Sequence, residues 1–304
     1  MTHWPDPYAA HEDHVGPARG RPEIWRILLT SGLVIASFYV TPWLLASVAE
    51  EGFLDAYLQG DSPGALFASL ASFALPAAVL CWCVARFHDR PALTLIGTRR
   101  YGVPLFRRVA VTVLATLLAI EILPPWPISD EFPATMRPVA AWMIALPFAA
   151  VATLIQTGAE EMFYRGYLQQ QLAAVSPRRI VWMGLPSLLF ALSHSWNTPG
   201  SLDAAVYVVW TFLFGLACAD LTARTGSLIP AWALHFANNM IAFCLYGVVG
   251  GWSTGFALFL FPGDAWTDTY LTDPAAIILG VFFLLFELPY ILVMWLAARL
   301  VLRR

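Results

Sequence analysis

Two adjacent glutamates and a following arginine are the most chemically notable residues of this 304-residue chain, because they lie inside an apolar segment. On a helix Glu161 faces Arg165, four residues further on, with the acid on the N-terminal side that favours an ion pair. Glu160 points about 100° away, and its own neighbour at that spacing is Tyr164, a candidate hydrogen-bond partner. The spacing therefore predicts one carboxylate held by a cation and one free to act as a general base.

Two histidines and an asparagine add to this pattern. Of the six histidines, only His194 and His235 lie in apolar segments, and Asn239 follows His235 by four residues, on the same face of a helix. A carboxylate and an imidazole together can take a proton from water. Two hydrogen-bond donors on one helix face can stabilise an oxyanion. These residue types therefore favour hydrolytic chemistry, although each could instead be a polar group that only bonds a neighbouring helix.

Composition places these residues in a membrane protein. The chain is 59% hydrophobic and 12% charged, with a mean hydropathy of +0.66, whereas soluble domains carry about 25% charged residues. The net charge is −3 and no basic cluster lies beside aromatic residues, so no nucleic-acid partner is expected. The four cysteines, all in apolar runs, are expected to be free thiols.

The hydropathy pattern predicts an all-α integral membrane bundle of about eight transmembrane helices. Fifteen of the 17 arginines, all but Arg137 and Arg165, fall on one side of this arrangement. The positive-inside rule then predicts a multi-pass protein of the cell (cytoplasmic) membrane with both termini in the cytoplasm. The apolar stretches are 27–49, 65–85, 109–124, 138–174, 180–197, 204–222, 228–248 and 275–300.

Depth can be estimated from the arginines that bound the spans. Glu160, His194 and Asn239 lie roughly 20–22 Å from the cytoplasmic ends of their helices, and His235 lies about one turn shallower. The four side chains are therefore expected to share one layer of the bundle. Ionisable residues at this depth are costly, so a shared layer favours function over structural bonding. The stretch 138–174 is too long for one upright span, and its first part is expected to be tilted or re-entrant.

The chain divides into four predicted regions. Residues 1–23, polar and rich in proline, are expected to be a flexible cytosolic tail. Residues 24–135 carry transmembrane helices 1–3, and 136–250 form the catalytic core, helices 4–7. Residues 251–304 form a loop and the C-terminal transmembrane helix. Within the core, the spacing of Asp220 and Arg224 predicts a structural ion pair.

Three motifs resemble those of the CAAX prenyl protease and bacteriocin-processing family, the type II CAAX endopeptidases or Abi family. The motif Glu-Glu-x-x-x-Arg is matched by Glu160, Glu161 and Arg165. Phe-x-x-x-His is matched by Phe190 and His194, and His-x-x-x-Asn by His235 and Asn239. The three motifs occur in order, each on its own predicted span. The eight-span layout also resembles the intramembrane fold of this family.

The resemblance implies an intramembrane endopeptidase that hydrolyses a hydrophobic, prenylated (CAAX-like) or bacteriocin-like peptide within membrane lipid. It implies that Glu160 and His194 activate the water and that His235 and Asn239 stabilise the oxyanion. Glu161, Arg165, Tyr164 and Phe190 would support the site.

We expect a metal-free glutamate mechanism without a cofactor. A zinc metalloprotease is the alternative, with Glu160, His194 and His235 as the zinc ligands.

Two other classes of function stay open. A non-catalytic immunity or scaffold protein of the same fold would bind a peptide without cleaving it, but it would not need unpaired polar groups at the site. A proton-coupled transporter would use the carboxylates as a relay, but the expected Glu161–Arg165 pair and the lack of an internal repeat count against it.

Overall fold

The computed structural model describes residues 6–98, 102–124, 128, 133–195, 202–263 and 274–303. Residues 196–201, between the predicted stretches 180–197 and 204–222, and residues 264–273 of the predicted loop that begins at 251 lie outside this part of the chain. The described chain is mainly helical, and we number its α-helices in order. They are α1 His11–Val15, α2 Ile24–Ala46, α3 Phe53–Gln59, α4 Pro63–Ala71, α5 Ala74–Phe87, α6 Gly102–Glu121, α7 Val139–Glu161, α8 Gln170–Val175, α9 Leu185–Leu192, α10 Leu202–Thr225, α11 Ile229–Cys244 and α12 Pro274–Leu302.

Hydrophobic helices dominate the described chain, as the composition predicts. Among the described residues, five helical stretches are long and apolar enough to cross a membrane, and a shorter apolar helix covers Ile180–Leu192. The chain is therefore an all-α, multi-pass integral membrane protein, while the count of eight spans and the side on which the termini lie stay predictions. The five long stretches are Ile24–Ala46, Pro63–Phe87, Gly102–Glu121, Val139–Val175 and Ala205–Thr225.

The longest of these stretches runs unbroken from α7 to α8. The structure places Pro147 inside α7 and continues the helix to Val175, so no re-entrant break divides it. A π-helix, Met162–Gln169, joins α7 to α8. Such wide turns are found frequently at functional sites, because the extra residue redirects side chains and frees backbone carbonyls. Here the π-helix begins directly after Glu160 and Glu161 and contains Arg165.

A small sheet lies at the other end of α7. Its strands are β1 Thr135–Met136, β2 Tyr246–Val248 and β3 Phe259–Phe261. The order is β1-β3-β2, with β1 antiparallel to β3 and β2 parallel to it. Hydropathy analysis does not predict this sheet, because its strands are only two or three residues long. The sheet joins the chain segments that precede α7 and follow α11.

The N-terminal segment differs from the expected flexible tail. From residue 6 onward it is described, and α1 packs against the core with His11 and His14 buried. His14 Nε2 lies 3.2 Å from the backbone oxygen of Arg165, which can only accept, so the ring donates. The prediction missed this docking because the partners of these histidines lie about 150 residues further along the chain.

Asp220 anchors the N-terminal segment to two further helices. It pairs with Arg224, with 2.8 Å between Oδ2 and Nε, which confirms the predicted ion pair. Its carboxylate also accepts hydrogen bonds from the Tyr8 hydroxyl, at 2.7 Å, and from the Trp295 indole, at 2.9 Å. Burial and the neighbouring carboxylate raise the pKa of Tyr8 to about 12, so the phenol stays a donor. One carboxylate therefore joins the N-terminal segment, α10 and α12.

The four cysteines, all described, are free thiols as predicted: Cys81, Cys83, Cys218 and Cys244.

Candidate active site

The two adjacent carboxylates have different environments. Glu161 and Arg165 form the predicted ion pair, with 2.9 Å between Oε1 and Nη1, and both side chains are fully buried. The Glu160 side chain is 13% exposed, and its Oε2 has no hydrogen-bond partner among the described residues. Glu160 is thus partly exposed, although its Oε2 atom is itself buried, whereas Glu161 is fully enclosed by the protein.

Arg165 is held in place by packing as well as by charge. Its guanidinium carbon lies 4.5 Å from the centre of the Phe190 ring, a cation–π contact. Gly215 of α10 faces the guanidinium, and a Cβ built there would lie 3.0 Å from Arg165 Nη2. The absence of a side chain at position 215 thus leaves room for a buried arginine.

His235 contacts both carboxylates, which the sequence analysis did not predict. Its Nδ1 lies 2.8 Å from Glu161 Oε1 and its Nε2 lies 3.5 Å from Glu160 Oε2. The ring is 4% exposed. Glu161 therefore accepts from Arg165 and faces His235 through the same oxygen.

His194 is fixed by the residue four positions before it. Its Nδ1 lies 2.7 Å from the Phe190 carbonyl oxygen, which can only accept, so Nδ1 is the donor; in the neutral ring Nε2 then carries the lone pair. The carbonyl is available because the His194 N–H bonds the Ala191 oxygen instead. The Phe190 ring contacts both histidine rings, with centroid distances of 4.7 Å to His194 and 5.7 Å to His235. Phe190 therefore positions His194 through its backbone and borders both histidines with its side chain.

Tyr164 does not bond Glu160, contrary to the expectation from helical spacing. Its hydroxyl donates to Ser193 Oγ at 3.0 Å, beside His194. The reason is the π-helix that begins at Met162, which changes the rotation between residues 160 and 164. Between described side chains, no hydrogen bond joins Glu160 to His194. Tyr207 lies beside His194, with 5.8 Å between the two ring centroids.

Asn239 lies one turn beyond His235 and bonds a residue that the sequence analysis missed. Its Nδ2 donates to Gln156 Oε1 at 3.0 Å, and its Oδ1 accepts from Asn238 Nδ2 at 3.0 Å. Gln156 is 5% exposed. A signal for it exists in the sequence, because Gln156 precedes Glu160 by four residues and so lies on the same face of α7.

The three glutamines that follow the site along the chain, Gln169, Gln170 and Gln171, lie in the interior of the protein. All three side chains are fully buried and donate to other parts of the protein. Gln170 bonds the His14 backbone oxygen, and Gln171 bonds the His88 ring. The partner of Gln169 is the Ala219 backbone oxygen. These glutamines fasten α8 to its surroundings and offer no open channel.

In the part of the chain that the structure describes, no three histidine, cysteine or acidic side chains are grouped as ligands of one metal ion. Glu160 and His235 are close together, while the nitrogens of His194 are not grouped with them.

Comparison with known proteins agrees with the motifs. Residues 141–241 match the family model described as type II CAAX prenyl endopeptidase, Rce1-like. Among curated proteins, an uncharacterised Bacillus subtilis (strain 168) protein, YyaK, is 29% identical over 182 residues, which are 57% of this chain and 58% of YyaK. The match thus spans little more than half the length of that relative. No solved structure matches the chain. Residues 141–241 are therefore similar to the Rce1-like type II CAAX prenyl endopeptidase family, and this stretch contains all three motifs.

Proposed function

We propose that this protein is an intramembrane endopeptidase that cleaves a hydrophobic, prenylated (CAAX-like) or bacteriocin-like peptide. The observation that carries the proposal is the contrast between the two carboxylates. Glu161 is enclosed and neutralised by Arg165, whereas Glu160, beside it, is partly exposed and forms no ion pair with the described residues apart from its contact with the His235 ring. A carboxylate without its own counter-charge costs free energy at bilayer depth. A membrane protein with no catalytic role would therefore not be expected to retain one.

Glu160 and His194 are proposed to activate the water. The His194 tautomer supports this role, since its Nδ1 is bound to the Phe190 carbonyl and its Nε2 can accept a proton. The water oxygen attacks the carbonyl carbon of the scissile bond while its proton passes to Glu160 or His194. When the carbon–nitrogen bond breaks, the same proton goes to the leaving amine, so the protein ends the cycle as it began.

His235 and Asn239 are proposed to stabilise the oxyanion that forms in this step. Both lie on one face of α11, one turn apart, and both are fixed by neighbours: His235 by Glu161, and Asn239 by Gln156 and Asn238. Donors that are already oriented need no rearrangement as negative charge develops, which makes them effective. A metal-free mechanism fits these roles. In the zinc alternative Glu160, His194 and His235 would be ligands, and zinc would supply the activated water.

The decisive experiment is peptide cleavage by the purified full-length protein in detergent. The probe is an internally quenched peptide that ends in a farnesylated CAAX sequence, compared with an unprenylated hydrophobic peptide. Glu160→Gln should lower the rate by about 10²–10⁴ and leave the protein folded, because the amide has nearly the same shape but is a far weaker base.

Glu287→Gln is the matched control, because it makes the same chemical change at an exposed glutamate of α12. This variant should keep the wild-type rate. Binding of the probes by the wild-type protein without cleavage would contradict the proposal and favour a scaffold. Full activity in Glu160→Gln would refute the proposed role of Glu160.

We further propose that the protein lies in the cytoplasmic membrane with both termini in the cytoplasm. The arginine distribution supports this orientation.

A further inference from the structure

Helices α7 and α11 pack antiparallel and are joined at three levels. The Trp142 indole donates to the Cys244 carbonyl at 2.9 Å, Gln156 bonds Asn239, and Glu160 faces His235. The last two levels are four residues apart on both helices, which is one turn, or about 6 Å. The polar site therefore consists of two layers of contacts between α7 and α11. One layer is formed by Glu160 and His235, and the other by the amides of Gln156 and Asn239.

Close packing of α7 against α11 fixes the alignment of these two layers. A Cβ built on Gly158 would lie 2.7 Å from the Trp232 ring, so the indole of α11 fits directly against the backbone of α7. The same indole donates to the Leu154 carbonyl at 3.2 Å. These contacts flank Gln156 along α7 and fix its distance from α11.

We propose that Gln156 is a positioning residue that sets the orientation of the Asn239 amide for catalysis, an inference that rests on the proposed function. An asparagine amide can present either its N–H₂ donor or its oxygen acceptor to a substrate, and only the donor stabilises an oxyanion. Gln156 Oε1 accepts from Nδ2, while Asn238 donates to Oδ1. Both ends of the Asn239 amide are thereby engaged, and the second N–H of Nδ2 stays available for the substrate.

Burial increases the importance of the hydrogen bond between Gln156 and Asn239. Gln156 is 5% exposed, so water does not readily replace it as the acceptor. Without Gln156 the Asn239 amide gains the freedom to turn over, and its oxygen would then repel the developing negative charge. Loss of Gln156 should therefore lower kcat rather than raise KM, because substrate binding in the ground state does not require the oxyanion donor.

The test is a double-mutant cycle with Gln156→Met and Asn239→Ala, measured with the quenched farnesylated peptide. We expect Gln156→Met to lower kcat by at least about fivefold with little change in KM, up to the full loss caused by Asn239→Ala. In the Asn239→Ala background, Gln156→Met should change kcat by less than about twofold, since its target is gone. Thermal unfolding in detergent establishes that each variant is folded.

Two further variants sharpen the test. Gln156→Asn keeps a carboxamide but withdraws it by about 1.5 Å, one carbon–carbon bond, and should lose kcat as Gln156→Met does, which keeps the test available should the methionine variant not fold. Thr157→Val is the matched control, because the Thr157 hydroxyl, as far as the chain is described, bonds the Thr153 carbonyl of its own helix and not α11. It should keep the wild-type rate.

The outcomes separate the two hypotheses. Multiplicative effects in the double variant, or full kcat in folded Gln156→Met or Gln156→Asn, would overturn the positioning role while leaving the proposed function intact. Full kcat in Asn239→Ala would instead refute the oxyanion role of Asn239, on which the positioning role depends.

Discussion

Acid should weaken the docking of the N-terminal segment. Burial lowers the pKa of both His11 and His14 to about 4, from an ordinary value near 6.5. Around His14, the charges of Arg90 and His11 disfavour the protonated ring further, and the Arg165 carbonyl opposes them in part. Both histidines are therefore neutral in the docked segment at neutral pH.

The magnitude follows from proton linkage. A group whose pKa is lower in the folded state binds more protons when it is released, so its contribution to stability is complete above pH 6.5 and is lost as the pH falls toward 4. The pKa of each histidine is 6.5 in the unfolded state and about 4 in the folded state. Lowering the pH from 7 to 5 therefore reduces the free energy of unfolding by about 2 kcal/mol for each histidine. The pair therefore accounts for a loss of at most about 4 kcal/mol.

Thermal unfolding in detergent at pH 7 and pH 5 measures this loss. The matched control is the double variant His11→Gln and His14→Gln, which keeps amide donors near the ring nitrogens but cannot titrate. Between the two pH values the unfolding temperature of the wild-type protein should fall by roughly 5–10 °C more than that of the control. All other titrating groups are common to both proteins and cancel. An equal fall in the two proteins would refute the reasoning, because the buried histidines would then contribute no proton linkage.

Three further predictions concern the site and the topology. Glu161→Gln should lower the free energy of unfolding by about 3–5 kcal/mol, since it leaves Arg165 buried without its counter-charge; an unchanged denaturation midpoint would contradict this. Chelation with EDTA should leave the cleavage rate unchanged, whereas a loss of activity that Zn²⁺ alone restores would establish the zinc alternative. In a cysteine-free background, a membrane-impermeant thiol reagent applied to intact cells should label Glu51→Cys and not Val175→Cys, both of which are exposed positions; the reverse pattern would invert the proposed orientation.

Much of the architecture could be predicted from the sequence because the relevant signals are local. Hydropathy over about 20 residues identifies a span wherever it lies in the bundle, and the long stretches of the structure agree with the predicted ones. The Glu161–Arg165 and Asp220–Arg224 pairs are also local, since helical geometry alone brings residues four apart together.

The contacts between helices were decided only by the tertiary structure. That His235 faces both carboxylates, and that Asn239 bonds Gln156, depends on how far α11 is shifted and rotated against α7. No periodicity within one helix carries that information. Regular helical spacing also fails to predict the partner of Tyr164, because the π-helix after Glu161 turns this side chain away from Glu160.

The N-terminal segment shows most clearly which contacts a sequence pattern does not predict. Its composition is that of a solvated tail, yet three of its side chains are anchored to residues far along the chain: Tyr8 to Asp220, His14 to the Arg165 backbone, and His11 against Trp182. The sequence by itself determined most of the long helices, which of them are apolar enough to cross a membrane, and which polar residues could do chemistry, because those properties depend on neighbours within a turn or a span. Tertiary structure alone decided which polar groups meet, because that depends on how separate helices pack.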